Sequence, residues 1–228
     1  MVAIRLPPPS RNLSPQLKTL KPNTKLIRIF DPTKYNAQAL GFRSFGPISR
    51  FDHHRIDVTS GKPQLDPERS IIYAAFTLSS CLVEIFGDGD VVEVKQQQVA
   101  SIYTAETLNL LDLRGNNAMK AGTVTAIAKT ANRNLSQTWS RYFYERKDLY
   151  SDLDGIIYSN AHKRSDSRVG ERRKGTLTKT DDDALALYER AQSKLVTSKV
   201  KTMPLKHPAL RSAIFQIAEN HSLLVSPY

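Results

Sequence analysis

Apolar and polar positions divide the chain into short blocks of different period. Lys25 to Phe30, KLIRIF, alternates and predicts a strand closed by Asp31-Pro32. Gly41 to Arg55 has the Gly-Pro content of a shaped loop with short extended pieces, and Ser60 to Arg69 is turn chemistry throughout. Ser70 to Phe76 is β-branched and aromatic, which predicts a buried strand. In Thr77 to Phe86, Leu78, Cys81, Leu82 and Ile85 share one helical stripe, and Gly87 stands where a helix stops. Val91 to Gln98 alternates like a strand, while Leu108 to Leu113 and Gly155 to Ser159 predict two more short strands. Thr123 to Tyr144 has helical spacing interrupted around Asn132 to Leu135, with Trp139, Tyr142 and Phe143 on one face. Ala184 to Leu195 and His207 to Ala218 predict closing helices. Strands dispersed among short helices make the expected fold class α+β, a compact mixed sheet with short helices.

Length and composition add a frame. In 228 residues, 40% of them apolar, one domain with a real core is expected. Pro7, Pro8, Pro9, Pro15 and Pro22 mark residues 1–24 as an arm wrapping the surface of a single domain over residues 25–228. The prolines of MVAIRLPPPSRN break any secretory signal, and no run approaches the roughly 18 apolar residues of a membrane span. The expected location is therefore cytoplasmic. Cys81, the single cysteine, reads as a small buried hydrophobe.

The net charge of +11 is unevenly spread. Lys163, Arg164, Arg168, Arg172, Arg173, Lys174 and Lys179 crowd one segment at about residues 160–180, against only Asp166 and Glu171. Such a segment reads as a solvated loop or as an attractor of an acidic partner. No aromatic residue interleaves it, so direct nucleic-acid binding is not expected.

Glu84 is the conspicuous acid, alone in the apolar run CLVEIF and preceded by the basic and aromatic stretch GFRSFGPISRFDHHR. A lone carboxylate among apolar neighbours is costly to bury without a partner or a task. A cationic anchor with an isolated acid suits cleavage of a phosphate-bearing nucleotide at its sugar. His53 and His54 point to opposite faces if extended, and no Cys-His spacing completes a zinc site, so no metal is expected. GDGD at Gly87 lacks the third glycine and following helix of a dinucleotide fingerprint.

From Lys25 to Ala191 the chain resembles the RES domain family, whose fold is similar to that of the ADP-ribosyltransferase toxins. Arg28 in LIRIF resembles the family's opening Tyr-Arg strand, with Ile27 in place of the tyrosine. FGPISRFDHHR resembles the Gly-Arg-Phe segment and supplies Arg50. IIYAAFTLSSCLVEIF resembles the Tyr-x-Ala run leading to Leu-x-Glu and supplies Tyr73 and Glu84. LSQTWSRYFYE and DGIIYSNAH resemble the Gln-x-Trp helix and the Asp-Gly-x-x-Tyr-x-Ser strand, supplying Ser159. ALALYERA resembles the phenylalanine- or tyrosine-containing strand that closes the family's domain. The basic insertion and Asn160, where an arginine is usual, are departures from the pattern.

The resemblance implies an enzyme that consumes NAD as substrate, with no bound cofactor and with inorganic phosphate as a conceivable co-substrate. It implies Glu84, Arg50 and Tyr73 as catalytic residues, and Arg28, Arg50, Tyr73 and Ser159 as NAD-binding residues. It further implies a toxin silenced by an Xre-like helix-turn-helix antitoxin. Hydrolysis, phosphorolysis and ADP-ribose transfer to a protein all stay open, as does oligomeric state. So does a non-catalytic module that binds an acidic partner through the basic insertion. Each residue also has an ordinary reading: Glu84 as a helix acid salt-bridged to a partner such as Arg50, the arginines as surface ion-pair members, Tyr73 as core, Ser159 as a turn former.

Overall fold

The computed structural model describes residues 4–10, 12–35, 37–57, 59–160 and 183–226. The basic insertion, residues 161–182, lies outside them. The main sheet is built from β1 (Leu17–Leu20), β2 (Lys25–Phe30), β3 (Ile71–Ala75), β4 (Gln98–Thr104), β5 (Leu108–Asp112), β6 (Gly155–Ser159), β7 (Asp183–Tyr188) and β8 (Leu195–Pro204). The longer helices are α1 (Leu78–Phe86), α2 (Arg133–Glu145) and α3 (Pro208–Asn220). The fold is mixed α+β, as the dispersed strands predict.

The sheet order is β1-β5-β6-β7-β3-β2-β4-β8. Neighbours are antiparallel except β5 and β6. One join is unlike the rest: β2 meets β3 through the single pair Ile27 and Ala75. Beyond it the strands part, and the freed edge of β3 is taken by Arg43, whose backbone exchanges hydrogen bonds with Ile71.

Three apolar clusters fill the layers. Trp139 and Phe143 of α2 pack with Tyr150, Phe51 and Tyr158 on one face of the sheet. Leu26, Ile72, Ile102, Leu110, Leu185 and Leu187 form the core of the other face. Ile29, Ala75, Cys81, Leu82, Phe86 and Ile214 join α1 and α3 to the strands beside the β2–β3 join.

Several expectations are corrected. Residues 184–195 are not a helix: Asp183–Tyr188 is a strand buried along its whole length, followed by a 3-10 turn over Glu189–Lys194. A fully buried central strand is a continuous apolar run, which spacing alone does not separate from a helix. Small Ala184 and Ala186 alternate here with Leu185 and Leu187, which belong to opposite face clusters. Only Val91–Val92 of the expected Val91–Gln98 strand is extended, pairing with Leu224–Val225, and β4 begins at Gln98. The Thr123–Tyr144 helix is a 3-10 turn, Thr125–Ala128, and then α2, whose cap Asn132 accepts from the Leu135 amide at 3.2 Å. The edge strand β8, rich in lysine and threonine, has no counterpart in the sequence reading.

Part of the proline-rich arm is structural. Leu17–Leu20 pairs with β5, and Trp139 Nε1 donates to the Arg5 carbonyl at 2.8 Å. Gly122 lets the arm pass: its φ is +94°, and a Cβ there would stand 2.8 Å from Pro9. No helix among the described residues is long and apolar enough to cross a membrane.

Gly155 gives the fold a direct test. A Cβ on it would stand 2.3 Å from the Ala186 carbonyl oxygen of the neighbouring strand. Gly155→Ala should therefore lower the urea midpoint, at a cost of about 1–3 kcal/mol, the range for overpacking a filled core.

Candidate active site

The parting of β2 from β3 leaves a small cleft of about 80 Å³, roofed by α1. Ile29, Tyr73, Ala75, Glu84 and Tyr158 are among its walls. α1 starts at Thr77, whose hydroxyl accepts from the Ser80 amide at 3.1 Å. Its inward stripe is Cys81, Leu82 and Phe86, whereas Ile85, expected on that stripe, is 45% exposed at the cleft. Glu84 lies between, half-buried, so its backbone is anchored in the core and its carboxylate faces the cleft.

Two phenols converge there, and each has its proton assigned. Tyr158, fully buried in β6, donates to Glu84 Oε1 at 3.0 Å. Burial, then the Glu84 charge, push the Tyr158 phenol well above its ordinary pKa, so the proton stays on tyrosine. Tyr73 donates to Asp52 Oδ1 at 2.8 Å and accepts from the Phe51 amide at 3.0 Å. Burial and the Asp52 charge hold it protonated as well. A phenol has one proton to donate. The hydroxyl of Tyr73 is thus committed, and what the residue offers the cleft is its ring.

Arg50 lies on the loop beneath. Its Nη1 donates to the Thr130 carbonyl, its Nε is buried without a hydrogen-bond partner, and it makes no ion pair among the described residues. It acts electrostatically on Tyr158, and the ring of the next residue, Phe51, packs 4.6 Å from that of Tyr158. The ordinary reading of Glu84 as a salt-bridge partner of Arg50 is therefore not what forms.

Arg28 is placed differently. Strand alternation sets it on the face of β2 opposite Ile29, and it is not among the cleft's walls. It is only 8% exposed, with no hydrogen bond or ion pair among the described residues and only the Phe30 ring as a cation–π neighbour. Burial first, and then the nearby positive charge of Arg43, lower its pKa to about 10. Ser159 likewise alternates away from Tyr158; its hydroxyl donates to Asp183 Oδ1 at 3.4 Å, and Arg114 holds the other oxygen of Asp183 at 2.5 Å. Glu84 and Tyr73 thus share one cleft with Arg50 close to it, whereas Arg28 and Ser159 stand apart.

Two residues of this constellation lie in motifs of the sequence reading but are not among its candidate site residues. Tyr158 sits in GIIYS, where a phenol in an aliphatic strand signals a polar end needing a partner. Asp52 sits in RFDHH, where charged neighbours mask it. The histidines have separate partners: His53 Nε2 lies 2.9 Å from Glu189 Oε2 and His54 Nε2 lies 3.0 Å from the Arg43 carbonyl. Among the described residues no group of three or more potential ligands gathers around a metal position.

The RES domain family model matches residues 25–206, a span that holds every residue of this cleft. The chain belongs to the RES domain family. No curated protein matches the sequence. A chain of the crystal structure of the M. tuberculosis MbcT–MbcA toxin–antitoxin complex is similar, with a TM-score of 0.49 and 13% identity. The match covers 86% of this chain and 90% of that one.

Two measurements probe this RES domain before any substrate is added. A cation whose pKa falls to about 10 on folding destabilises the protein throughout neutral pH, and the penalty declines only as the pH rises above about 10 towards the ordinary guanidinium value. The penalty is about 3 kcal/mol. Arg28→Met should raise the urea midpoint of the ligand-free protein at neutral pH. The Cys81 thiol is pushed up to about 12 by burial and then by Glu84. At pH 8 it is neutral and enclosed, so a thiol reagent should label it only as the protein unfolds.

Proposed function

We propose that this RES domain protein cleaves the nicotinamide–ribose bond of NAD and is the toxin of a toxin–antitoxin pair. The observation that carries the reading is Glu84, a carboxylate oriented by a buried phenol, facing a cleft close to Arg50, which has no ion pair among the described residues. Nicotinamide is already cationic and leaves without protonation. The ribose carbon then bears positive charge, as in glycoside hydrolysis, and one fixed carboxylate stabilises it. Tyr158 keeps Glu84 aimed without neutralising it, because the phenol retains its proton.

The cleft, at about 80 Å³, is far below the roughly 300–1,000 Å³ of a whole-ligand pocket. Only the nicotinamide end would enter, lying on the Tyr73 ring, while the diphosphate stays outside near the Arg50 guanidinium. Arginine's planar fork suits phosphate oxygens, and a buried unpaired arginine gains most from receiving them. Family resemblance supports the toxin role, which calls for an inhibitor that closes this cleft; an Xre-like helix-turn-helix antitoxin is the partner proposed.

Purified protein should release nicotinamide from NAD. Glu84→Gln should slow that release by at least about 100-fold, the scale of losing one electrostatic stabiliser. Tyr158→Phe, which removes a single donor from Glu84, should cost about 10-fold. Turnover unchanged in Glu84→Gln would refute the assignment. Dependence of the rate on added phosphate separates phosphorolysis from hydrolysis, and label entering acid-insoluble material identifies ADP-ribose transfer.

A further inference from the structure

We infer that Asp52 is a positioning residue for this reaction, fixing both the Tyr73 ring and the backbone on either side of Arg50. This rests on the proposed NAD-cleaving reading of the cleft. Asp52 is fully buried, yet its carboxylate is among the most heavily used polar groups of the protein. Oδ2 accepts from the amides of Ile48 at 2.6 Å and Ser49 at 2.9 Å. Arg43 Nη2 reaches both oxygens, at 2.9 and 2.7 Å, and Tyr73 donates to Oδ1 at 2.8 Å. His54 Nδ1 stands 4.0 Å from Oδ2.

These bonds have a common geometry. The amides of Ile48 and Ser49 precede Arg50, and the amide of Phe51, which follows it, is bound by the same Tyr73 hydroxyl that Asp52 holds. Arg50 is thereby flanked on both sides by backbone tied to one carboxylate, directly or through one phenol. The same carboxylate accepts the Tyr73 hydroxyl's hydrogen bond, which leaves the ring to face the cleft as an apolar wall rather than a donor. Arg43, meanwhile, is drawn to Asp52 and to the Phe45 carbonyl, so its charge is spent inside the protein. Among the described residues Arg28 and Arg50 have no carboxylate partner. A purely structural acid could serve loop stability alone; this one sets the orientation of two groups that the proposed reaction uses.

The test is Asp52→Asn, which keeps the shape and removes the charge, with Tyr73→Phe as a second variant that deletes only the tethering hydroxyl. Steady-state cleavage of NAD should show KM raised about 10- to 100-fold, the scale of misplacing a bound group, with a smaller change in kcat. The double variant should lose no more than the worse single one, because the two residues act through one bond. Amide exchange at Ile48, Ser49 and Phe51 should accelerate at least tenfold in Asp52→Asn while amides of β4 keep their protection. Wild-type KM and wild-type exchange in Asp52→Asn would overturn the inference. So would fully multiplicative losses, or a fall in kcat at unchanged KM. If wild-type protein cleaves no NAD, the functional reading fails and the inference falls with it; active wild type beside an unaffected Asp52→Asn sinks the inference alone. Should Asp52→Asn not fold, Tyr73→Phe carries the decision by the same KM and exchange criteria.

Discussion

A sheet whose strands were paired along their full length would have no room for this site. β2 and β3 are joined by one residue pair, Ile27 with Ala75, and then diverge. Divergence exposes two strand edges, and unpaired backbone groups must find partners. On β3 the partner is the backbone of Arg43, which draws the loop carrying Arg50 and Asp52 against the sheet. Beside the join, Cys81 of α1 donates its thiol to the Ile27 carbonyl at 3.1 Å. The cleft is what remains between loop, helix and strands. It is small because the flanking side chains, Ala74, Ala75 and Ala184, are small without being absent.

Placing charges at such a seam is unfavourable for stability, and the molecule handles them unequally. Asp52 is surrounded by donors. Asp66 is bound by Arg55 in two-pronged fashion, and Asp112 with Asp183 shares Arg114. These groups read as architecture: buried acids matched by arginine and amide donors, as buried charges must be. Arg28 and Arg50 are handled otherwise: among the described residues neither has a carboxylate partner, and each keeps a buried Nε without a hydrogen bond. Burying a cation without a counter-ion costs stability.

The sequence was legible where local chemistry and tertiary context agree. KLIRIF alternates because Leu26 and Ile27 enter different clusters on the two faces of β2. The cap at Thr77 and the stripe of Cys81 and Leu82 define α1. Glu84 and Tyr73 were readable from motif order and do wall one cleft. β7 was misread because a central strand surrounded by strands is apolar on both sides and carries no period-two signature. β8 was missed because a solvent-facing edge strand with lysines at Lys199 and Lys201 resembles a loop in composition. Tyr158 and Asp52 escaped because their significance lies in partners 74 and 21 residues away.

Residue order alone determined the family, the α+β class and the helix bearing Glu84, since all of these follow from short-range spacing and side-chain type. Tertiary structure decided what that acid and its neighbours can do. It brought a phenol from β6 to the carboxylate, committed the Tyr73 hydroxyl to Asp52, and set Arg28 and Ser159 away from the cleft. Hydrogen-bond partnership and burial depend on distances across the sheet, and no window along the chain contains them.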